Sequence, residues 1–194
     1  MSLRPSLYAA DITRFRASIA GDRAPLVRSV EDWLREHGPE ATAADIYRNM
    51  DQLIAGAWAR KPERDEQVLL VAGLAHACGV DSESTMIHWG NWKIGAYEDY
   101  FDAVKSILPP ASVKCFEFVR SGRPLFGSEM ETEWSYYSYL TADEVRSFSA
   151  DLAAAHARSP ELDSKDSIHG FPTEFRGWMK QIEERNADLW LFAE

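Results

Sequence analysis

Residues 129–145 read EMETEWSYYSYLTADEV, and a change of period inside this stretch decides the fold class. Successive side chains of an extended chain point to opposite faces. Glu129, Glu131, Glu133, Tyr137 and Tyr139 therefore share one side, and Met130, Trp134, Tyr136 and Leu140 the other. The alternation stops at Thr141. Thr141-Ala142-Asp143-Glu144 is a capping box, in which hydroxyl and carboxylate satisfy each other's backbone amides at the start of a helix, and Val145, Phe148 and Leu152 then recur at helical spacing. A strand that runs directly into a capped helix predicts mixed structure.

Reading upstream, Ser121, Gly122, Arg123 and Pro124 form a turn signal, and the β-formers of Ser112 to Val119 before it predict a second antiparallel strand. Downstream, Phe175, Trp178, Met179 and Ile182 mark a last helix, and Asp188 to Phe192 reads as a final strand. Near the start, Ser6 to Ala10 is a short strand followed by Asp11, which is placed to cap a helix carrying Ile12, Phe15 and Ile19. Further apolar stripes follow: Leu26, Val27, Val30, Trp33 and Leu34, closed by His37 and Gly38, then Ile46, Met50, Leu53, Ile54 and Ala57, entered at Thr42 or Asp45. Val68 to Cys78 is apolar nearly all round, as a buried helix should be. Residues 81–94 have no clear period and read as a long loop, after which Tyr97, Phe101, Val104 and Leu108 resume helical spacing up to Pro109 and Pro110. The expectation is one α+β domain over residues 1–194, predominantly helical with a small, mainly antiparallel sheet.

Charge limits the partners. The chain of 194 residues carries 21 basic and 31 acidic side chains, a net charge of −10. Residues 1–64 hold ten bases against nine acids, which leaves eleven bases and twenty-two acids, a net of −11, in residues 65–194. Nucleic acid and anionic lipid both require clustered Lys and Arg, so neither is an expected partner. The longest uncharged run, Gln67 to Val80, is too short for the roughly 20 residues of a membrane-spanning helix. The N-terminal residues contain no apolar signal core, and Cys78 and Cys115 form no CxxC pair, so a reducing, cytoplasmic setting is expected.

Three constellations could carry chemistry. The acid-and-tyrosine face of Glu129, Glu131, Glu133, Tyr137 and Tyr139 suits recognition of a basic protein partner: carboxylates steer it, and tyrosines give contact area at low entropic cost. No Lys or Arg lies between Arg123 and Arg146, whereas five carboxylates do. The alternative is an ordinary strand with its charges outward. The second constellation is His88, Trp89, Asn91, Trp92 and Tyr97, in and just after the 81–94 loop and near Glu98 and Asp99. An imidazole oriented by a carboxylate is a general base for a small hydrolase, and the alternative is two Trp anchoring a loop to the core. Third, Asp163, Asp166 and His169 supply oxygen and nitrogen ligands for a divalent ion, or simply a polar loop. His76 and Cys78 read as core residues. Gly90 and Gly95 have phosphate-loop spacing, but Ala96 and Tyr97 stand where Lys and Ser or Thr are required. No motif implies a cofactor.

The segments GRPLFG (122–127), WSYYSYLTADEV (134–145) and DLWLF (188–192), with SLYAADITRF (6–15) near the start, resemble an uncharacterised family of bacterial proteins, a domain of unknown function. The resemblance implies a compact α+β domain of the bacterial cytoplasm and brings no activity, cofactor or catalytic residue. The functional expectation is an interaction protein, immunity-like in character, with a small hydrolase using His88 as the alternative.

Overall fold

The computed structural model of the chain describes residues 2–38, 41–58, 66–90, 92–127, 135–163 and 170–193. In chain order the elements are β1 (Ser2–Leu3), β2 (Pro5–Ala10), α1 (Ile12–Ala20), α2 (Ala24–His37), α3 (Ala43–Ile54), α4 (Glu66–Ala77), β3 (Met86–Trp89), β4 (Trp92–Lys93), α5 (Ile94–Val104), α6 (Pro110–Ser121), β5 (Tyr136–Leu140), α7 (Ala142–Arg158), a 3-10 turn (Pro160–Asp163), α8 (Phe171–Glu184) and β6 (Asp188–Ala193). The α+β class holds: helices predominate around a four-stranded sheet of order β3-β2-β6-β5 with every pair antiparallel.

Alternation along the strands divides the core in two. Leu7, Leu140, Leu189, Leu191 and Ala193 pack with α5 to α8, whereas Tyr8, Ala10, Tyr137, Tyr139 and Trp190 pack with α1 to α4. Both faces of the sheet are therefore covered, which explains why β6 is apolar at nearly every position instead of alternating with polar residues. Trp190 lies opposite Tyr8 on one neighbouring strand and Tyr139 on the other, with the Tyr137 ring stacked 5.5 Å away. Helix α4 is buried at Val68, Leu70, Val71, Leu74 and Ala75, as its all-round apolar sequence predicts.

Local signals placed the helix ends well. Asp11 accepts from the Arg14 amide at the start of α1, and Gly21 closes that helix. Thr42 with Asp45 and Thr141 with Glu144 both form complete capping boxes. One further cap had no sequence pattern. Asp188, at the start of β6, accepts from the Ile12 amide with one carboxylate oxygen (2.7 Å) and from the Ala142 amide with the other (2.6 Å). A single side chain thus terminates α1 and α7 together, where β2 and β5 end on either side of β6.

Three expectations about the fold are corrected. Ser112 to Val119 is not a strand but the body of α6, with Ser112, Cys115, Phe116 and Val119 buried at helical spacing. The β-forming composition was outweighed by this period, and Pro110 occupies the first turn, where a missing N–H costs nothing. Residues 81–94 are not all loop: β3 pairs with β2, and β4 pairs with β1. Finally, Tyr137 and Tyr139 are not on an outward face. They are 0% and 5% exposed, because α1 to α4 cover that side of the sheet. Glu129, Glu131 and Glu133 lie outside the described residues.

Candidate interaction surface

The two edges of the sheet are treated differently, and the difference begins in the sequence. Beside β5 runs the segment GRPLFG. Gly122 and Gly127 adopt positive φ (86° and 79°), which a side chain would disfavour. Arg123, between them, closes the strand edge: its amide donates to the Tyr137 carbonyl (3.1 Å) and its guanidinium to the Tyr139 carbonyl (3.4 Å). The same guanidinium pairs with Glu144 at 2.7 Å and lies 4.4 Å from the Phe118 ring centroid and 4.3 Å from that of Tyr139. A second guanidinium, Arg16, also lies over Tyr139 and donates to its hydroxyl.

Burial raises the Glu144 carboxyl, but Arg123 and the Thr141 cap outweigh it and hold the group below its ordinary value. A carboxylate depressed in the folded state contributes stability that is present above its unfolded pKa and lost as the pH falls through the folded one. Acid unfolding of Arg123→Gln is accordingly expected to begin at higher pH than that of the parent, with little difference between them in the effect of raising the pH above neutrality. Coincident acid limbs in a circular-dichroism titration would contradict this role.

The opposite edge is open among the described residues. Among the described residues β3 pairs only with β2, and no charged residue occurs from Thr85 to Trp92. Its register carries a one-residue bulge: Ser6 faces Trp89 and Leu7 faces His88, but Tyr8 faces Met86. Directly opposed residues of an antiparallel pair share a face. Met86 and Trp89, three apart, are thereby brought to one face, which an unbroken strand would not do. Trp89 is 70% exposed and Met86 is 37% exposed. The ladder resumes in β1 and β4, where Leu3 faces Trp92, three residues on from the Ser6–Trp89 pair in both chains. The preceding turn is fixed by the Thr85 hydroxyl, which donates to the Val80 carbonyl (2.8 Å), and by Arg185, which donates to the Ser84 carbonyl (3.2 Å).

His88 turns the other way, onto α8, where its ring stacks on Trp178 with centroids 4.0 Å apart. Burial lowers its pKa, which favours the neutral imidazole. Glu98, expected to orient it, pairs instead with Arg120 at 2.7 Å, and Asp99 is exposed on α5. Asp163 ends the 3-10 turn, whereas Asp166 and His169 lie outside the described residues, and among those described no group of three His, Cys, Asp or Glu could hold a metal ion. His76 is not a core residue: it is exposed, with its ring nitrogen 3.5 Å from Asp81. Cys115 is buried, which pushes its thiol up to about 11 and keeps it protonated at neutral pH. The buried pair of Tyr100 and His156 (2.7 Å) is enclosed in the aromatic core. A groove of about 260 Å³ between α7 and α8 is lined by Ser149, Thr173 and Lys180 among others, but Lys180 pairs with Glu184 and Ser149 with Glu183.

The fold and surface define an acidic α+β protein with, among the described residues, one closed and one open sheet edge. No protein-family model matches the chain, and neither a curated protein nor a solved structure matches it. No described helix is long and apolar enough to cross a membrane.

Proposed function

We propose that this protein is an interaction protein that binds a basic protein partner, immunity-like in character. The observation that carries the reading is the unneutralised acidity of residues 65–194, which hold twenty-two acids against eleven bases. Several bases in this region are already paired: Arg120 with Glu98, Arg123 with Glu144, Arg146 with Asp143 and Lys105 with Asp102. Glu83, Asp99, Glu117 and Glu174 are exposed and form no ion pair with a described residue. Glu129, Glu131 and Glu133 add to this surplus in sequence, without the buried tyrosines that were expected beside them. Such a field accelerates encounter with a cation and discriminates against anionic partners. The hydrolase reading draws no comparable support, since Trp178 covers the His88 ring and Arg120 engages Glu98.

An oligo-lysine peptide titrated into the protein at low salt should bind saturably, with affinity falling as salt is raised. Replacing Glu129, Glu131 and Glu133 together by Lys should weaken that binding about tenfold and flatten its salt dependence. Equal binding of oligo-lysine and oligo-glutamate would show that the surface charge selects nothing.

A further inference from the structure

We infer that the basic partner binds as an added β-strand along the edge of β3 that no described strand pairs, with its apolar residues against Met86 and Trp89; this rests on the reading of the protein as a binder of basic proteins.

A sheet edge presents unpaired backbone N–H and C=O groups, and proteins ordinarily blunt such edges with charged residues, Pro, bulges, short strands or a covering element. The β5 edge follows this rule through Arg123. The β3 edge has no Lys, Pro or charge anywhere from Thr85 to Trp92. The bulge at Leu7 and Tyr8, which on many edges serves to disrupt pairing, here collects Met86 and Trp89 on one face. An incoming strand would find both the hydrogen-bonding edge and, beside it, an exposed indole and thioether, the side chains most often enriched where interfaces are driest.

Charge selects the occupant. A second copy of the chain would bring the same net charge of −10 to the same edge. Of the charged residues beside the strand, Glu83 is exposed with no ion pair to a described residue, and the Arg185 guanidinium is held at the Ser84 carbonyl. The segment that fits is extended, apolar at alternate positions and positively charged overall.

The test uses the full chain and a peptide of alternating Lys and Val. Two peptides serve as controls: the same sequence with alternate backbone amides methylated, which keeps charge and side chains but removes donors, and a Glu-Val peptide of equal length. Calorimetry should show the Lys-Val peptide binding about tenfold or more tighter than either control, and Trp89→Ser, at an exposed site, should weaken it by a similar factor while leaving the circular-dichroism spectrum of the parent unchanged. If the methylated peptide binds as well and Trp89→Ser changes nothing, the cationic-partner reading stands and the strand edge is wrong. If neither cationic peptide binds, both fail. A concentration-dependent dimer in sedimentation that Trp89→Ser abolishes would make the occupant a second copy and overturn the assignment to a basic partner.

Discussion

Phe116→Ala is expected to destabilise the protein by about 4 kcal/mol, the range for removing a fully enclosed phenyl ring. Phe116 is 0% exposed, and its ring centroid lies within 5.2 to 5.4 Å of those of Phe148, Phe175, Tyr97, Tyr100 and Phe101. Its neighbours come from α5, α7 and α8, so no single element can collapse into the space left behind. At roughly 2–4 °C per kcal/mol for a chain of this size, the melting temperature should fall by about 8–16 °C. Glu117→Ala, one residue along on the exposed side of α6, should stay within about 0.5 kcal/mol of the parent. Comparable losses for the two variants in urea unfolding would contradict the helical placement of this segment.

The second large effect belongs to Asp188. Asp188→Ala removes the acceptor for the first amides of both α1 and α7, and each lost cap costs about 0.5–2 kcal/mol. Because both amides are partly buried, water replaces the carboxylate poorly, and the combined loss should be about 3 kcal/mol. Asp188→Asn keeps one acceptor oxygen and should cost about half as much. Asp11→Ala, which deprives only the Arg14 amide of its partner, should cost about 1 kcal/mol. Thermal unfolding of the three variants gives the order directly. An Asp188→Ala protein no less stable than Asp11→Ala would mean that the two helix ends are satisfied without the shared carboxylate.

These two residues also mark where sequence reading stopped. Capping boxes, glycine stops and apolar stripes are local, so α1, α2, α3, α4 and α7 were legible within a few residues, as were β2 and β6. The α6 segment was misread because Val113, Cys115, Phe116, Phe118 and Val119 invite a strand by composition, although burial at Ser112, Cys115, Phe116 and Val119 obeys the helical period. Asp188 gave no signal, since its two partners lie 176 and 46 residues away in sequence. The tyrosines of β5 were placed outward because alternation shows that two faces differ but not that helices cover both. The short strand β3 escaped notice because a bulge breaks its period. Its exposed Trp89 reads in the sequence as one of two anchors for a loop, and only the pairing with β2 makes it a side chain of an edge that no other described strand pairs.

The β3 edge is the proposed place of binding. Hydrogen exchange at the amides of Met86–Trp89, measured with and without the Lys-Val peptide at saturation, tests it most directly. Added protection concentrated on these residues, and absent with the backbone-methylated peptide, is the predicted result. Saturable binding that leaves their exchange unchanged and slows it elsewhere would contradict it.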